Sequence, residues 1–290
     1  MAASVLFDAP GPKTLARHRV YTLISSLGLL ATVGLVVWQL SRKGQFAADL
    51  WEPFVTPRIV NVLLEGLGKT LLAALFAIIG ALVLGVVLGS GKLSAHRVLR
   101  WPSWLFVEFF RAVPLLMVII ATWYFLGPTS GSNALVALVA GLVLYNGAVF
   151  AEIFRAGINA VPRGQAEAAY ALGMRKSMVM RIIQLPQAVR IMLPAIISQT
   201  IVALKDTSLG YAVLAPGLTY AGKLVFGEFR NTIQTAFVLA VIYIICNLLL
   251  SMLATWAQKR LGGESTIDPA AAEEAGSNDR DTGSSQYASP

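Results

Sequence analysis

The sequence contains little charge. Aspartate, glutamate, lysine and arginine together make up 13% of its 290 residues, and 56% of the residues are hydrophobic. Soluble domains carry about 25% charged residues, because charge keeps a water-facing surface solvated. This composition excludes an ordinary soluble domain, and the mean hydropathy of +0.68 is typical of a protein that crosses a membrane several times.

Cysteine and histidine are also nearly absent. Cys246 is the one cysteine and lies in an apolar run, which excludes an internal disulfide and a thiolate metal cluster. The two histidines, His18 and His96, both lie in polar flanks, so a histidine metal site is not expected either. We predict that this chain holds no metal and no organic cofactor of its own.

Long apolar runs, in contrast, are abundant. Each is close to the roughly 20 residues that a helix needs to cross a bilayer. They predict an all-α, polytopic transmembrane bundle of about six spans within residues 21–260, with a weaker glycine-rich region at 205–231. The predicted spans are residues 21–40, 71–89, 103–126, 134–153, 187–204 and 232–257.

The basic residues predict the orientation of these spans. If the polar N-terminal segment 1–20 is inside the cell, fourteen Lys and Arg residues fall in cytoplasmic segments and seven in outer ones. Cytoplasmic loops of membrane proteins carry such an excess. We therefore predict a multi-pass protein of the cell membrane with both termini in the cytoplasm. The net charge of +8 is then a topology signal, and no nucleic-acid partner is expected.

The C-terminal segment 261–290 has a different composition from the rest of the chain. It is made mostly of serine, alanine, glycine and acidic residues. Such a segment cannot bury a hydrophobic core, and we predict a disordered cytoplasmic tail.

One stretch resembles the end of a phosphate-binding loop. Gly66-Leu67-Gly68-Lys69-Thr70 has the final residues of that motif, but Leu63 stands where the motif needs its first glycine. An apolar helix follows, and no strand precedes it, although the motif requires one. The sequence therefore predicts no nucleotide site here.

The longest charged interval inside the apolar body is residues 163–186, which we name the coupling segment. Glu167 is predicted to begin a short helix, and Gly173 to turn the chain back through a left-handed residue. A second helix is predicted to follow and to end at Pro186. Its apolar stripe would be Met174, Met178, Ile182 and Leu185. A helix-turn-helix of this kind on a membrane face can dock into a groove of a partner.

Three charged residues lie inside the third and fourth predicted spans. Glu108 and Arg111 are three residues apart and share a helix face, and Glu152 lies at a comparable depth in the next span. Charges in a bilayer are costly and usually functional. Two interpretations remain open: an ion-pair cluster that holds spans three and four together, and a charged element of a translocation path or its inner gate.

The coupling segment resembles the EAA loop of ABC importer permeases. The residues that carry this resemblance are Glu167, Ala168, Ala169, Gly173, Ile183, Leu185 and Pro186. Further stretches resemble the polar amino-acid branch of these permeases: Glu108-Phe109-Phe110-Arg111-x-x-Pro114-Leu115, Ala151-Glu152-Ile153-x-Arg155, and Lys205-Asp206-Thr207-Ser208-Leu209. Ala112-Val113 departs from the Gly-Thr usual in that branch. Residues 6–12 resemble the start of actinobacterial glutamate permeases.

The resemblance implies a type I ABC importer permease that takes up a polar amino acid, with glutamate favoured. It implies three partners: cytoplasmic ATPase subunits that bind ATP and Mg²⁺, a second identical or paralogous permease subunit, and an extracellular substrate-binding protein. The chain itself would be a transport subunit and not an enzyme. Lys205, Asp206, Thr207 and Ser208 would form either a polar helix end or a contact with the substrate or the binding protein.

The sequence leaves three alternative functions to compare with a polar amino-acid permease. The first is a permease for another small polar solute. The second is an ion-coupled secondary transporter, which would be expected to show internal repeats, and none is found. The third is an intramembrane enzyme, which needs a catalytic set that Glu108, Arg111 and Glu152 do not make.

Overall fold

The computed structural model describes residues 12–128 and 131–262, and every regular element in these ranges is helical. The helices are α1 (Pro12–Arg42), α2 (Pro57–Leu93), α3 (Arg97–Ala112), α4 (Leu115–Phe125), α5 (Ser132–Asn159), α6 (Arg163–Ala171), α7 (Lys176–Met178), α8 (Leu185–Asp206), α9 (Leu218–Phe229) and α10 (Thr232–Gly262). The predictions for residues 1–11 and for the tail from 263 onward lie outside the described residues.

The all-α, polytopic prediction is confirmed. Five stretches are long and apolar enough to cross a membrane, and the pair α3 and α4 passes the same test as a bent sixth. The boundaries of the second span differ from the prediction, because α2 begins at Pro57 instead of residue 71. Proline is favoured in the first turn of a helix, where its missing N–H has no partner to lose. The Gly66–Thr70 stretch is therefore helical.

The predicted span 103–126 is wrong as a single straight helix. It divides into α3 and α4, whose axes differ by 108°. Val113 ends α3 in an extended conformation, with φ −82° and ψ 132°, and Pro114 precedes the first residue of α4. A proline disfavours helical geometry in the residue before it and cannot donate its own backbone hydrogen bond. Pro114 therefore accounts for the break.

The prediction that Pro186 ends a helix is also wrong. Helical structure continues from Lys176 to Val213, through a π-helical stretch at Val179–Gln184 and then α8. Pro186 is the second residue of α8. Pro186 has no backbone N–H, so one carbonyl of the preceding turn lacks a partner, and the π-helical hydrogen-bond pattern changes which carbonyl this is. The side-chain amide of Gln187 donates to the Ile183 carbonyl at 3.0 Å. The fifth span thus begins well before the predicted residue 187.

The glycine-rich region at 205–231 contains regular helical structure. A 3₁₀ turn at Thr207–Val213 extends α8, and Leu214 then reverses the chain with φ 57°. The helix α9 follows. Its first backbone N–H, on Leu218, donates to Thr70 Oγ1 at 2.8 Å. This bond ties the start of α9 to α2.

The chain divides into two compact units. Among the described residues, one combines those up to Leu63 with Gly222–Val238, and the other combines those of Leu64–Ala221 with those from Leu239 to the end of α10. In the first unit, the loop after α1 is held by buried amides: Asn231 donates to the Leu50 carbonyl at 3.0 Å, and Gln234 donates to the Gln45 carbonyl. Buried polar side chains thus fix the path of this loop.

The second unit is a tightly packed helical body. Gly85 and Gly89 of α2 lie against α5, where a Cβ on Gly85 would come within 2.5 Å of Phe150 Cβ. Small residues at this spacing let membrane helices approach each other closely. Ile119, Leu142 and Val213 form the core between α4, α5 and the 3₁₀ turn.

Candidate functional site

The first half of the coupling segment is the helix α6. It begins at Arg163, directly after Pro162, so Glu167 is its fifth residue. The prediction that Glu167 lies in the first turn, where the helix dipole favours a negative charge, is therefore wrong. Glu167 and Ala168 are exposed, whereas Ala169 is buried. The helix thus anchors itself through a small buried residue and leaves the glutamate available to a partner.

Gly173 ends α6 in a left-handed conformation, as the sequence predicted, with φ 77°. The Gly173 N–H donates to the Tyr170 carbonyl at 2.9 Å, and the Met174 N–H donates to the Ala169 carbonyl at 3.2 Å. These two bonds form a Schellman motif, which closes a helix through a residue of positive φ. A Cβ at Gly173 would meet no atom within 4 Å, so the backbone conformation alone requires the glycine.

The second half of the coupling segment does not bury the predicted stripe. Val179 is the residue that is fully buried, whereas Met178 and Ile182 are exposed. Met174, Ile183 and Leu185 are half-buried, and Leu185 packs against a core of Ile158 and Met192. One set of side chains therefore packs the segment against the rest of the protein. The segment presents a second apolar set, including Leu172 at 83% exposed, on its outer surface.

A charge cluster joins α2, α3 and α5, and its centre is Lys92. The Lys92 side chain is only 6% exposed. Its ammonium group lies 3.2 Å from Glu108 Oε1 and also donates to Glu152 Oε1. Arg155 donates two hydrogen bonds to Glu152 Oε2, at 2.9 and 3.0 Å. Buried charges are tolerated when they are paired in this way.

Arg111 is a peripheral member of this charge cluster. It lies 4.0 Å from Glu108 and is 42% exposed, and Glu152 takes its contacts from Lys92 and Arg155 instead. The sequence did not point to Lys92 as a member of this cluster, because Lys92 follows the predicted span 71–89 and lies among the basic residues before the next span. The available signal was the continuous apolar run up to Leu93, which carries Lys92 into the last turn of α2.

The four residues Lys205–Ser208 lie in two different environments, the protein interior and a cavity. Thr207 is buried and donates to the Leu204 carbonyl at 2.6 Å, and Asp206 is hydrogen-bonded to the buried Asn146 of α5. Lys205 and Ser208 instead line a cavity of about 540 Å³ between α8 and α10. Of these four residues, Lys205 and Ser208 are the two that line this cavity.

The wall of this cavity on α10 is polar at regular intervals. Tyr243, Asn247 and Ser251 recur every four residues and face the cavity. Asn247 Nδ2 donates to the Tyr243 carbonyl at 2.6 Å, while the buried Asn247 Oδ1 accepts no hydrogen bond from the protein. We name Lys205, Ser208, Tyr243, Asn247 and Ser251 the polar cavity. It offers one cation and the hydroxyl groups of serine and tyrosine within the membrane-crossing helices.

A second intramembrane polar contact lies between α5 and α8. Gln199 Nε2 donates to Asn146 Oδ1 at 2.7 Å, and Asn146 Nδ2 donates to the Leu142 carbonyl at 3.1 Å. Neither amide was singled out from the sequence. Amides inside spans commonly hydrogen-bond across membrane helices, which is the signal that could have indicated them.

No group of three or more histidine, cysteine, aspartate or glutamate residues that could hold a metal ion occurs in residues 12–128 and 131–262.

Comparison with known proteins gives relatives of one kind. The glutamate transport system permease protein GluD of Corynebacterium glutamicum is 42% identical over 228 residues, which cover 77% of this chain and 83% of the relative. The probable glutamine ABC transporter permease protein GlnM of Bacillus subtilis is 32% identical over 203 residues, covering 69% and 94%.

A solved structure agrees with these relatives. A crystal structure of an amino acid ABC transporter with histidines matches with a TM-score of 0.65 and 28% identity, covering 70% of this chain and 95% of the matched chain. The type I ABC importer permease fold is confirmed, and the ion-coupled transporter and the intramembrane enzyme are set aside. The profile of the family described as binding-protein-dependent transport system inner membrane component matches residues 81–263. This chain belongs to that family and is a multi-pass permease subunit of an ABC importer.

Proposed function

We propose that this permease moves a polar amino acid into the cell, that glutamate is its favoured substrate, and that a separate ATPase drives it through the coupling segment. The polar cavity is the observation that carries the substrate proposal. A cation and hydroxyl groups line a space of about 540 Å³ together with apolar side chains such as Ile201, Ile244 and Leu248, and this volume is within the range of small-ligand pockets.

The chemistry of the polar cavity suits an amino acid that carries two carboxylates. The Lys205 ammonium is a donor for one carboxylate of the substrate, and the hydroxyls of Ser208 and Ser251 are acceptors for its ammonium group. Charge-assisted hydrogen bonds of this kind are stronger than neutral ones. The relative GluD carries glutamate in its name, which supports the same choice.

The partner proposal follows from what this chain lacks and what it exposes. Its sequence holds no complete phosphate-binding motif, so ATP and Mg²⁺ would bind to the ATPase. The coupling segment exposes Glu167, Leu172 and Ile182, a mixed apolar and charged surface that suits a protein groove. A second permease subunit and an extracellular binding protein complete the proposed importer.

Replacing Lys205 by glutamine is expected to weaken glutamate binding about ten- to hundredfold. A hydrogen bond to a charged group contributes about 1.5–3 kcal/mol, and glutamine removes the charge while keeping a polar side chain of similar length. The measurement is the Kd of glutamate for the purified permease–ATPase complex without the binding protein. Lys205→Arg keeps the charge and should bind more tightly than Lys205→Gln.

The matched control is Lys69→Gln. The Lys69 side chain is 42% exposed and forms an ion pair with Glu65, one turn away at 2.6 Å. Its loss should leave the Kd unchanged. Binding of free glutamine, measured as a second ligand, identifies the substrate carboxylate that Lys205 contacts. If Lys205 contacts the side-chain carboxylate, Lys205→Gln weakens the binding of glutamate and leaves the binding of glutamine unchanged. Unaltered glutamate binding in Lys205→Gln would remove the polar cavity from the substrate path.

The proposed orientation predicts the outcome of reporter fusions. Fusions after residues 45 and 128 should report the outside of the cell, and fusions after residues 95, 170 and 265 the cytoplasm, because of the fourteen-to-seven distribution of basic residues. The fusion after residue 128 is the decisive one. If α3 and α4 form a re-entrant hairpin instead of a broken span, that fusion reports the cytoplasm and the six-span topology fails.

A further inference from the structure

A second cavity, of about 560 Å³, opens beside the charge cluster. Arg100, Trp101 and Trp104 of α3 line it together with Lys92, Glu108, Glu152 and Arg155. All of these residues belong to the second compact unit. The substrate proposal above makes no use of this cavity, whose volume is enough for a small polar group.

The charge around this cavity is unbalanced. Its lining holds three cations and two carboxylates. Glu152 is bonded by both Lys92 and Arg155, and Glu108 is bonded by Lys92 and lies 4.0 Å from Arg111. The carboxylates are thus engaged by their own neighbours. Arg100 is the lining cation without a carboxylate among the ion pairs of the described residues, so the cavity favours a negatively charged group.

The helix that carries Arg100 has the character of a membrane-interface element. Arg97, Arg100 and Trp104 recur at helical spacing along one face of α3. Val98, at 82% exposed, and the exposed Leu105 and Phe109 follow another face. Trp101 and Trp104 lie side by side, with ring centres 5.9 Å apart. Tryptophan at headgroup depth, basic residues and an exposed apolar face are together typical of helices in the bilayer interface.

We propose that this cavity binds the headgroup of an anionic phospholipid, whose phosphate meets Arg100 beside the two tryptophans and whose acyl chains lie along the exposed apolar side chains of α3. Basic pockets between membrane helices on the cytoplasmic side bind such headgroups. The proposal rests on the cytoplasmic placement of the α2–α3 connection given under the proposed function. It does not depend on the identity of the substrate.

The test is the amount of phosphatidylglycerol that the complete transporter retains. The transporter is exchanged into phosphatidylcholine nanodiscs with or without phosphatidylglycerol, released, and examined by native mass spectrometry. The natural chain should keep phosphatidylglycerol, and Arg100→Gln should lower the retained amount about fivefold, the weight of one basic residue near an anionic surface. Arg100→Lys should keep most of it, and it supplies the comparison if Arg100→Gln is poorly folded.

Arg97→Gln is the matched control, because it removes the same charge one turn away and Arg97 does not line the cavity. Equal retention in Arg100→Gln and Arg97→Gln would overturn the proposal. Displacement of the lipid by inorganic phosphate would overturn it in favour of a free-phosphate site, and equal retention of phosphatidylethanolamine would overturn the requirement for negative charge. Glutamate uptake is followed with the same variants in proteoliposomes: loss of uptake with unchanged lipid retention would assign the cavity to the translocation path instead.

Discussion

Changing Gly173 to valine, or Glu167 to lysine, is expected to abolish uptake while the permease stays inserted and abundant. Gly173 has φ 77°, and valine is branched at the carbon that makes this conformation unfavourable for other residues. The left-handed geometry costs about 1–2 kcal/mol for a residue with a Cβ. Because no atom lies within 4 Å of that Cβ, the strain changes the turn between α6 and α7 and leaves the packing of the spans intact.

Glu167→Lys acts by reversing a charge and not by strain. Glu167 is exposed on α6, so lysine fits without disturbing the permease itself. It would instead place a cation against the surface that we propose for the ATPase, where like charges or a lost pair weaken docking. Both variants are measured by co-purification of the ATPase with the permease, beside uptake of labelled amino acid.

Two control variants separate docking from general damage. Gly44→Val imposes similar backbone strain, with φ 67° and open space around the glycine, in the loop after α1. Glu52→Lys reverses the charge of an exposed glutamate in the same loop. Both should bind the ATPase and transport normally. If Gly173→Val and Glu167→Lys also did so, the coupling segment would not be the element that transmits ATP hydrolysis.

Much of the fold was predictable because apolar runs of membrane length have few alternatives. The four predicted spans at 21–40, 71–89, 134–153 and 232–257 all lie within single long helices. The errors occurred at prolines. Pro57 begins a helix, Pro114 accompanies a bend of 108°, and Pro186 lies near the start of α8. The sequence shows that a backbone donor is missing, but the neighbouring hydrogen bonds decide which of these outcomes results.

The candidate site was predictable where a residue has a local role and less so where its partners are remote. The left-handed turn at Gly173 depends on its own backbone and was predicted correctly. One of the two interpretations from the sequence grouped Glu108, Arg111 and Glu152 in an ion-pair cluster. The structure places Lys92 between the two glutamates, 16 and 60 residues away from them in the chain. In the same way Asp206 and Lys205 are adjacent, but one meets α5 and the other the polar cavity. Which face a side chain takes in a helix bundle depends on packing that the sequence alone does not give.

Replacing Lys92 by methionine is expected to destabilise the permease by about 3 kcal/mol. Methionine fills a similar volume but leaves Glu108 and Glu152 without their shared cation. Removing one partner of a buried ion pair costs about 3–5 kcal/mol, and the lower value applies because Arg155 still bonds Glu152. At 2–4 °C for each kcal/mol, the midpoint of thermal unfolding should fall by about 6–12 °C in detergent.

Arg111→Met is the matched control, since Arg111 belongs to the same charge cluster but is 42% exposed and 4.0 Å from Glu108. Exposed ion pairs contribute about 0–1 kcal/mol, so its unfolding midpoint should change little. The combination Lys92→Met with Glu108→Gln removes the carboxylate that the first change leaves without a close cation, while Arg155 still bonds Glu152, and it should recover most of the lost stability. If uptake recovers with it, the cluster holds α2, α3 and α5 together. If the protein is stable again but does not transport, the charges act in the inner gate. An unchanged midpoint in Lys92→Met alone would contradict both roles, because it would mean that the buried lysine carries no net interaction with the two glutamates.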